Sequence, residues 1–172
     1  MEAVRRKQTT VMSADVVGYA ALMAADATQT LSALLWHFRQ IERLVRRYHG
    51  RIVDAPGDNL LAEFGREIDA LRCAVAVQQQ FGVERPDVPA SWRMRFRIGV
   101  HSGESLHYAG RLYGDTVNVA ARLQAAAAPE GILISETVAE RVSPYGVCAL
   151  QELGPRRFKN LPYPVTTYRP VI

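Results

Sequence analysis

The sequence predicts an α+β domain in which helices flank a mainly antiparallel central sheet. Strand-like and helical segments are interspersed along the 172 residues, and no internal repeat occurs. Several consecutive strand candidates are separated by turns short enough for hairpins, which join antiparallel neighbours. A chain of this length is expected to form a single domain, residues 1–172, with its own core.

The N-terminal segments predict one strand and one long helix. A β-rich run is expected to end as a strand near Asp15. Residues 26–50 carry apolar side chains at three- and four-residue steps, which is typical of an amphipathic helix. Asp26 or Thr28 would cap its start, and Gly50 would follow its last turn. The apolar positions of this predicted helix are Leu31, Leu34, Leu35, Phe38, Ile41, Leu44, Val45 and Tyr48.

A hairpin is predicted directly after this helix. Residues 51–54 and 59–64 are short strand candidates. The segment between them suits a type II turn with Pro56 at its second position and Gly57 at its third.

The remaining segments continue the mixture of helices and strands. Further helices are predicted at residues 67–81, 115–127 and 137–142. A strand is predicted at residues 94–104; it ends in a turn, and a return strand begins at residue 105. Three later strands are predicted at 131–135, 147–153 and 165–172.

Composition narrows the function classes. The net charge is +4, but the arginines are scattered and no aromatic RNA-binding signature occurs, so no nucleic-acid partner is expected. A triphosphate ligand or a mildly basic surface would explain the charge equally well. No apolar run is long enough for a membrane span and no signal-peptide pattern occurs, so a cytoplasmic location without a membrane partner is expected.

Two carboxylates stand at the ends of predicted strands. Asp15 follows an apolar strand, and Asp58 follows the Pro-Gly pair of the hairpin. Either residue would serve as a cap or turn residue, the simpler explanation for each alone. Either would also serve as a ligand of a metal ion shared with phosphates.

Asn118 and Arg122 are four positions apart on the predicted helix 115–127, so both project from one face. An amide beside a guanidinium can orient a hydroxyl group and stabilise a phosphoryl group. A solvated polar face is an equally good explanation of this spacing.

Five ordered motifs resemble one known family. SADVVGY, PGDNLLAEF, FRIGVHSGE, YGDTVNVAARL and RFKNLPYPVTTYR occur in the order and approximate spacing of the class III adenylate/guanylate (nucleotidyl) cyclase catalytic domain. The resemblance covers residues 8–170, and GDTVNVAARL is a highly specific string. It implies a ferredoxin-like cyclase homology domain that forms head-to-tail homodimers with active sites at the interface.

The resemblance also implies roles for one group of residues. Asp15 and Asp58 match the two metal-binding aspartates, and the backbone carbonyl of Val16 matches an additional ligand. Each active site would then hold two Mg²⁺ or Mn²⁺ ions that activate the ribose 3′-hydroxyl and bridge the triphosphate. Arg97 matches a phosphate-contacting arginine.

A second group would come from the other protomer. Asn118 matches the residue that orients the ribose, and Arg122 matches the one that stabilises the pentavalent α-phosphorus. Lys159 matches a lysine that holds the terminal phosphates. The implied reaction converts ATP or GTP into a 3′,5′-cyclic nucleotide and pyrophosphate.

The base-reading positions depart from the family. Relatives usually have a lysine four residues before the second metal aspartate, and an Asp or Thr seven residues before the ribose-orienting asparagine. Asp54 and Arg111 occupy these positions here, and the hairpin that carries Arg111 is short, which leaves its register open by a residue or two.

Three explanations of this departure are open. Asp54 would accept from guanine N1–H and N2–H while Arg111 donates to O6, which favours GTP. Alternatively, the two residues pair with each other and adenine is selected by other means. The third explanation is a non-catalytic dimerising module that binds nucleotides or regulates.

An active cyclase is the expected function because the metal, ribose, transition-state and phosphate positions all hold the family's residue type. ATP is favoured as substrate, with GTP as the alternative. Relatives are commonly fused to regulatory segments, which leaves room for a regulatory domain or partner outside this chain. His101 is expected in the sheet core or the following turn, and His107 at the surface.

Overall fold

The computed structural model describes residues 3–82 and 86–172. The strands are β1 (Arg5–Val16), β2 (Gly50–Asp54), β3 (Leu60–Phe64), β4 (Phe96–Tyr108), β5 (Arg111–Tyr113), β6 (Ile132–Ser135), β7 (Ala149–Arg156) and β8 (Val165–Val171). The helices are α1 (Tyr19–Ala25), α2 (Ala27–Arg47), α3 (Glu67–Gly82), α4 (Asp115–Ala126) and α5 (Glu136–Val142).

All eight strands belong to one sheet in the order β2-β3-β1-β4-β6-β8-β7, with β5 paired to β4. Every neighbouring pair is antiparallel except β4–β6. From β1 to β4 the order of elements is strand, helices, two strands, helix and strand, which is the ferredoxin-like βαββαβ arrangement. The predicted α+β class with a mainly antiparallel central sheet is therefore confirmed.

The sheet separates two apolar layers because side chains alternate between its faces. Met12, Ala14 and Val16 of β1 belong to the larger core, which α2, α3 and α5 cover. Val11 lies on the opposite face, together with residues of α4. The same alternation in β3, β4 and β6 extends both layers across the sheet.

Helix α4 lies unusually close to the sheet at Gly99. A Cβ atom at this position would lie 2.3 Å from the carbonyl oxygen of Ala120 and 2.3 Å from the backbone nitrogen of Gln124. Glycine is therefore required by a close approach of two backbones, not by an unusual backbone angle. This contact fixes the height of α4 above the sheet.

The start of the long helix agrees with the sequence expectation, whereas its end differs. The carboxylate of Asp26 accepts a hydrogen bond from the backbone N–H of Gln29 (2.9 Å), so Asp26 caps α2. The left-handed residue at the end of α2 is His49 (φ 61°) and not Gly50. Gly50 instead begins β2, where a Cβ atom would lie 2.4 Å from the ring of Phe64.

Three further details correct the sequence expectations. The turn after β2 is closed by a hydrogen bond from Asn59 N–H to the Pro56 carbonyl (3.1 Å), so Gly57 (φ 59°) is its second residue and not its third. The strand expected to end at residue 104 continues to Tyr108, and the return strand is only Arg111–Tyr113. A separate short helix, Tyr19–Ala25, precedes the long one.

Candidate active site

The end of β1 carries the first candidate side chain, Asp15. Antiparallel pairing of β1 with β4 places Asp15 opposite Arg97. Arg97 donates two hydrogen bonds to the Asp15 carboxylate, from Nε to Oδ1 (3.1 Å) and from Nη2 to Oδ2 (2.8 Å). It donates a third, from Nη1, to the carbonyl of Ala125 near the end of α4 (3.1 Å). Both residues are partly buried, so this ion pair is stronger than a fully exposed one.

The β2–β3 turn brings Asp58 to the same place. Burial raises the pKa of the Asp58 carboxyl, and the negative charge of Asp15 raises it further. The backbone N–H groups of Asp58 and Val16 hydrogen-bond the carboxylate and oppose this rise. We call Asp15, Val16, Asp58 and Arg97 the carboxylate cluster.

The carboxylate cluster fits a divalent cation by the chemistry of its donors. It supplies two carboxylates and, at Val16, a backbone carbonyl, and oxygen ligands of this kind are those that Mg²⁺ and Mn²⁺ prefer. The described residues contain no group of three or more His, Cys, Asp or Glu side chains placed to hold a metal. A metal ion here would therefore take its remaining ligands from water and from substrate phosphates, as Mg²⁺ does at nucleotide sites.

Helix α4 carries the second group of candidate side chains. Val119, Ala120 and Leu123 are buried against the sheet, whereas Asn118 is exposed and Arg122 half-buried on another face. The helical spacing places Asn118 and Arg122 one turn apart on that face, as predicted.

The segment between β7 and β8 holds Lys159 next to α4. Phe158 and Leu161 flank Lys159 and pack against the apolar cluster that contains Val119 and Leu123, while Lys159 itself is exposed. A hydrogen bond from Leu161 N–H to the Phe158 carbonyl (3.2 Å) closes the turn. We call Asn118, Arg122 and Lys159 the α4 cluster.

The two clusters are carried by different elements, although Arg97 bonds the backbone of α4 at Ala125. Among the described residues, no hydrogen bond or ion pair joins the carboxylate cluster to the α4 cluster. The predicted site residues thus fall into the carboxylate cluster at the end of β1 and the α4 cluster on and beside α4, and the assignment of these clusters to different protomers stays a prediction.

Asp54 and Arg111 share no hydrogen bond or ion pair with either cluster among the described residues. Both side chains are exposed, and Asp54 Oδ1 accepts from the N–H of Ala55 (2.9 Å). A register shift between Ile52 and Asp54 places Asp54 opposite Leu61, and such a bulge re-aims the side chain that follows it. The described part of the chain shows no ion pair between Asp54 and Arg111, so the explanation that they neutralise each other gains no support.

The comparisons with known proteins decide the family. A family model described as "Adenylate and Guanylate cyclase catalytic domain" matches residues 1–168. The chain belongs to this family. None of the helices in residues 3–82 and 86–172 combines the length and apolar character that a membrane crossing requires.

Individual relatives agree with this cyclase family. "Putative adenylate cyclase 3" of Rhizobium meliloti (strain 1021) is 35% identical over 165 residues, which cover 95% of this chain and 28% of that protein. The chain thus spans less than a third of that relative's length.

Solved structures agree as well. The adenylate/guanylate cyclase/hydrolase from Silicibacter pomeroyi is 32% identical, with a TM-score of 0.90 and 99% coverage of both chains. The adenylyl cyclase CyaB from P. aeruginosa is 21% identical, with a TM-score of 0.83 and coverage of 99% and 96%, and supports the fold alone.

The cyclase domain contains supporting residues that the sequence reasoning missed. The hydroxyl of Tyr163 donates to Asp115 Oδ2 (2.5 Å), which ties the Lys159 segment to the first turn of α4 and raises the pKa of Tyr163 to about 12. Arg51 pairs with Glu63 on the neighbouring strand. The Arg51–Glu63 pair had a sequence signal, since opposite charges directly across a predicted hairpin attract. The Tyr163–Asp115 hydrogen bond joins residues far apart in the chain and had no sequence signal.

The two histidines of β4, His101 and His107, have different surroundings. His101 lies in β4 with Nδ1 2.7 Å from the Ser135 hydroxyl, and burial lowers its pKa to about 4. His107 is not a surface residue, because its side chain is only 19% exposed. Its Nε2 lies 2.9 Å from the Thr9 hydroxyl and its Nδ1 lies 3.7 Å from Glu63 Oε2.

Proposed function

We propose that this domain is a nucleotidyl cyclase that converts ATP, or alternatively GTP, into a 3′,5′-cyclic nucleotide and pyrophosphate. The ribose 3′-hydroxyl attacks the α-phosphorus of the same nucleotide, and pyrophosphate leaves. The observation that carries the proposal is the carboxylate cluster, where Asp15 and Asp58 meet beside Arg97 within a cyclase-family domain. A second, separate cluster offers an amide and two cations suited to ribose and phosphate.

Asp15, Asp58 and the carbonyl of Val16 would hold two Mg²⁺ or Mn²⁺ ions, which would activate the 3′-hydroxyl and neutralise the triphosphate. The low effective dielectric of this partly buried position strengthens the attraction between the carboxylates and cations. Burial raises the pKa of the Asp58 carboxyl, the negative charge of Asp15 raises it further, and a bound cation would offset this cost of holding the charge.

The chain's own cations bind and orient the substrate. Arg97 is held in place by Asp15 and by the Ala125 carbonyl, and one guanidinium can contact a phosphate while it remains anchored. Lys159 is exposed on a turn anchored at both flanks, which suits a point contact to the terminal phosphates. The amide of Asn118 orients the ribose, and Arg122 stabilises charge that develops on the α-phosphate oxygens.

The active site is completed by a second copy of the chain. The carboxylate cluster of one protomer would face the α4 cluster of the other in a head-to-tail homodimer. The support for this arrangement is that no hydrogen bond or ion pair joins the two clusters among the described residues of one chain. A symmetric dimer of this kind contains two equivalent sites.

ATP is the proposed main substrate. The Rhizobium meliloti relative, 35% identical, carries the name of an adenylate cyclase. Asp54 and Arg111 at the base-reading positions favour GTP as the alternative, because a carboxylate accepts from guanine N1–H and N2–H and an arginine donates to O6.

The test is a product assay with ATP and GTP in parallel, each with Mg²⁺ or Mn²⁺. We expect a cyclic product from at least one nucleotide and only in the presence of metal. Asp54→Lys should shift the preference toward ATP, because lysine donates to adenine N1 and ionised aspartate does not.

A non-catalytic nucleotide-binding module is the second candidate, favoured by the atypical Asp54 and Arg111. It predicts saturable triphosphate binding without product from any of the four nucleoside triphosphates, in a preparation shown to be dimeric.

A further inference from the structure

Strands β1 and β4 extend together beyond β3, and β4 continues into the β4–β5 hairpin. Pairing of β1 with β4 begins at Arg5, whereas pairing of β1 with β3 begins only at Thr10. The tip of the hairpin is a two-residue turn, Ala109–Gly110, in which both residues have positive φ (48° and 74°). Two left-handed residues in succession form the tight turn that best matches the twist of a hairpin.

This hairpin folds back over the sheet toward the other edge strand. Leu112 of β5 is only 7% exposed, and it belongs to the apolar cluster of Val11, Leu61 and Ala120. Val53 of β2 packs against the same cluster. Strands β2 and β5 therefore contact each other, although β3, β1 and β4 separate them in the sheet order.

Arg51 forms the polar part of this contact. Its Nε donates to Glu63 Oε1 (2.8 Å), and its Nη2 lies 2.6 Å from the same oxygen. Its Nη1 donates to the carbonyl of Gly110 in the hairpin turn (3.1 Å). One rigid guanidinium thus connects β2, β3 and the tip of the β4–β5 hairpin.

The Arg51 contact is more than a surface ion pair. Exposed ion pairs contribute little, and the Arg51 side chain is 48% exposed, but the carboxylate of Glu63 is only 14% exposed. Glu63 Oε2 is buried without a hydrogen-bond partner, and His107 of β4 is the titratable side chain next to it. In the described part of the chain, Arg51 is the only residue whose side chain donates a hydrogen bond to a backbone carbonyl of the hairpin turn.

Arg51 stands between the two base-reading candidates. It lies three residues before Asp54 on β2, and its acceptor Gly110 directly precedes Arg111 on β5. The bulge in β2 places Asp54 opposite Leu61, which belongs to the apolar cluster that also holds Leu112. The spacing between the strand ends that carry Asp54 and Arg111 therefore depends on the Arg51 contact.

We propose that Arg51 is a positioning residue for nucleobase selection: by clamping the β4–β5 hairpin to β2 it fixes Arg111 relative to Asp54. The inference rests on the proposed function, because it takes Asp54 and Arg111 as the residues that face the base. Arg51 itself need not touch the nucleotide.

The test compares Arg51→Ala and Arg51→Lys with Arg46→Ala. Arg46 forms an ion pair with Glu42 on the surface of α2, so its removal is a matched loss of one exposed arginine contact. Lysine at position 51 keeps the charge but cannot bond Glu63 and Gly110 together through one planar group.

Two measurements decide the proposal. Amide hydrogen exchange across residues 109–112 should accelerate in both Arg51 variants and not in Arg46→Ala. The ratio of equilibrium affinities for ATP and GTP, measured with unreactive 3′-deoxy analogues and Mn²⁺, should change roughly three- to tenfold, the effect of losing the net contribution of one ordinary hydrogen bond to the base. The kcat on the preferred nucleotide should stay within about twofold, because the phosphate and metal residues are unchanged.

An unchanged affinity ratio in both Arg51 variants overturns the proposal, as does an equal change in Arg46→Ala. Failure of the proposed cyclase function is a different result, namely no cyclic product from the wild type. The binding ratio and the exchange rates do not depend on turnover and still decide the role of Arg51.

Discussion

Arg97 donates hydrogen bonds to Asp15 from two nitrogen atoms, at 3.1 and 2.8 Å, and its third nitrogen donates to the Ala125 carbonyl at the end of α4. The arginine on β4 therefore shares the carboxylate that the proposed mechanism assigns to metal binding. Among the described residues Asp58 forms no ion pair; burial raises the pKa of its carboxyl, the charge of Asp15 raises it further, and Arg97 lowers it. A divalent cation at this position would neutralise both carboxylates and leave Arg97 available to phosphate.

Replacing either carboxylate should abolish turnover without unfolding the domain. Asp15→Asn and Asp58→Asn each remove a metal ligand while they keep the size of the side chain. The wild type should gain thermal stability from Mn²⁺ with an unreactive triphosphate, because a ligand that binds only the folded state stabilises it. Both variants should lose this gain, measured by differential scanning fluorimetry, whereas Glu152→Gln on the exposed edge strand should keep it. Wild-type turnover in either variant would show that the replaced aspartate is not a ligand of the catalytic metal.

Arg122→Ala should lower kcat by roughly 10²- to 10³-fold and change KM much less. The reason is that a donor aimed at charge developing in the transition state contributes little to binding of the ground state. Steady-state kinetics with the preferred nucleotide measure both parameters. Arg72→Ala, which removes an exposed arginine from α3, is the control. A rise in KM with unchanged kcat would assign Arg122 to substrate binding instead.

Gly99→Ala should destabilise the domain and reduce activity together. The added Cβ would collide with backbone atoms of α4 at 2.3 Å, so the helix that carries Asn118 and Arg122 must move. Overpacking of this kind costs about 1–3 kcal/mol or more in the free energy of unfolding, which urea denaturation measures. Gly65→Ala is the matched control, because a Cβ there has no heavy atom within 4 Å. Equal stability of the two variants would show that α4 is free to shift.

His101 should make the fold sensitive to acid. Burial lowers its pKa to about 4 from an ordinary value of 6.5, so the unfolded chain binds this proton more readily. Its contribution to stability is fully present above pH 6.5 and is lost as the pH falls toward 4, to a limit of about 3 kcal/mol.

His101→Gln should flatten this part of the pH profile of unfolding free energy. His49→Asn, at a position whose side chain is 81% exposed, is the control for removal of a histidine. An identical slope in His101→Gln and the wild type between pH 6.5 and 4 would contradict this account.

Local patterns predicted most of the elements that carry the candidate site. A β-rich run located the end of β1 near Asp15, and helical spacing placed Asn118 and Arg122 on one face of α4. These signals involve residues close in sequence, where backbone geometry determines which side chains share a face. The roles of the residues rest on the family resemblance and stay predictions.

Long-range packing explains what the sequence did not predict. Leu31 and Leu35 fit the helical spacing, yet both are 47% exposed in α2, while Thr30 and His37 are buried. The buried stripe is set by the direction from which the sheet and α3 approach, which no local pattern contains. The fold of the β4–β5 hairpin over β2 is likewise a contact between distant segments.

Mixing two inactive variants tests the central claim, catalysis in sites shared between protomers, most directly. Asp58→Asn breaks the carboxylate cluster and Arg122→Ala breaks the α4 cluster, so a heterodimer has one site with both defects and one intact site. Random exchange makes half of the dimers heterodimers, and half of their sites are intact. Cyclic nucleotide formation by an equimolar mixture should therefore recover to roughly a quarter of the wild-type rate per chain. A mixture no more active than either variant alone, with heterodimers verified by differently tagged subunits and an active wild type, would contradict the account.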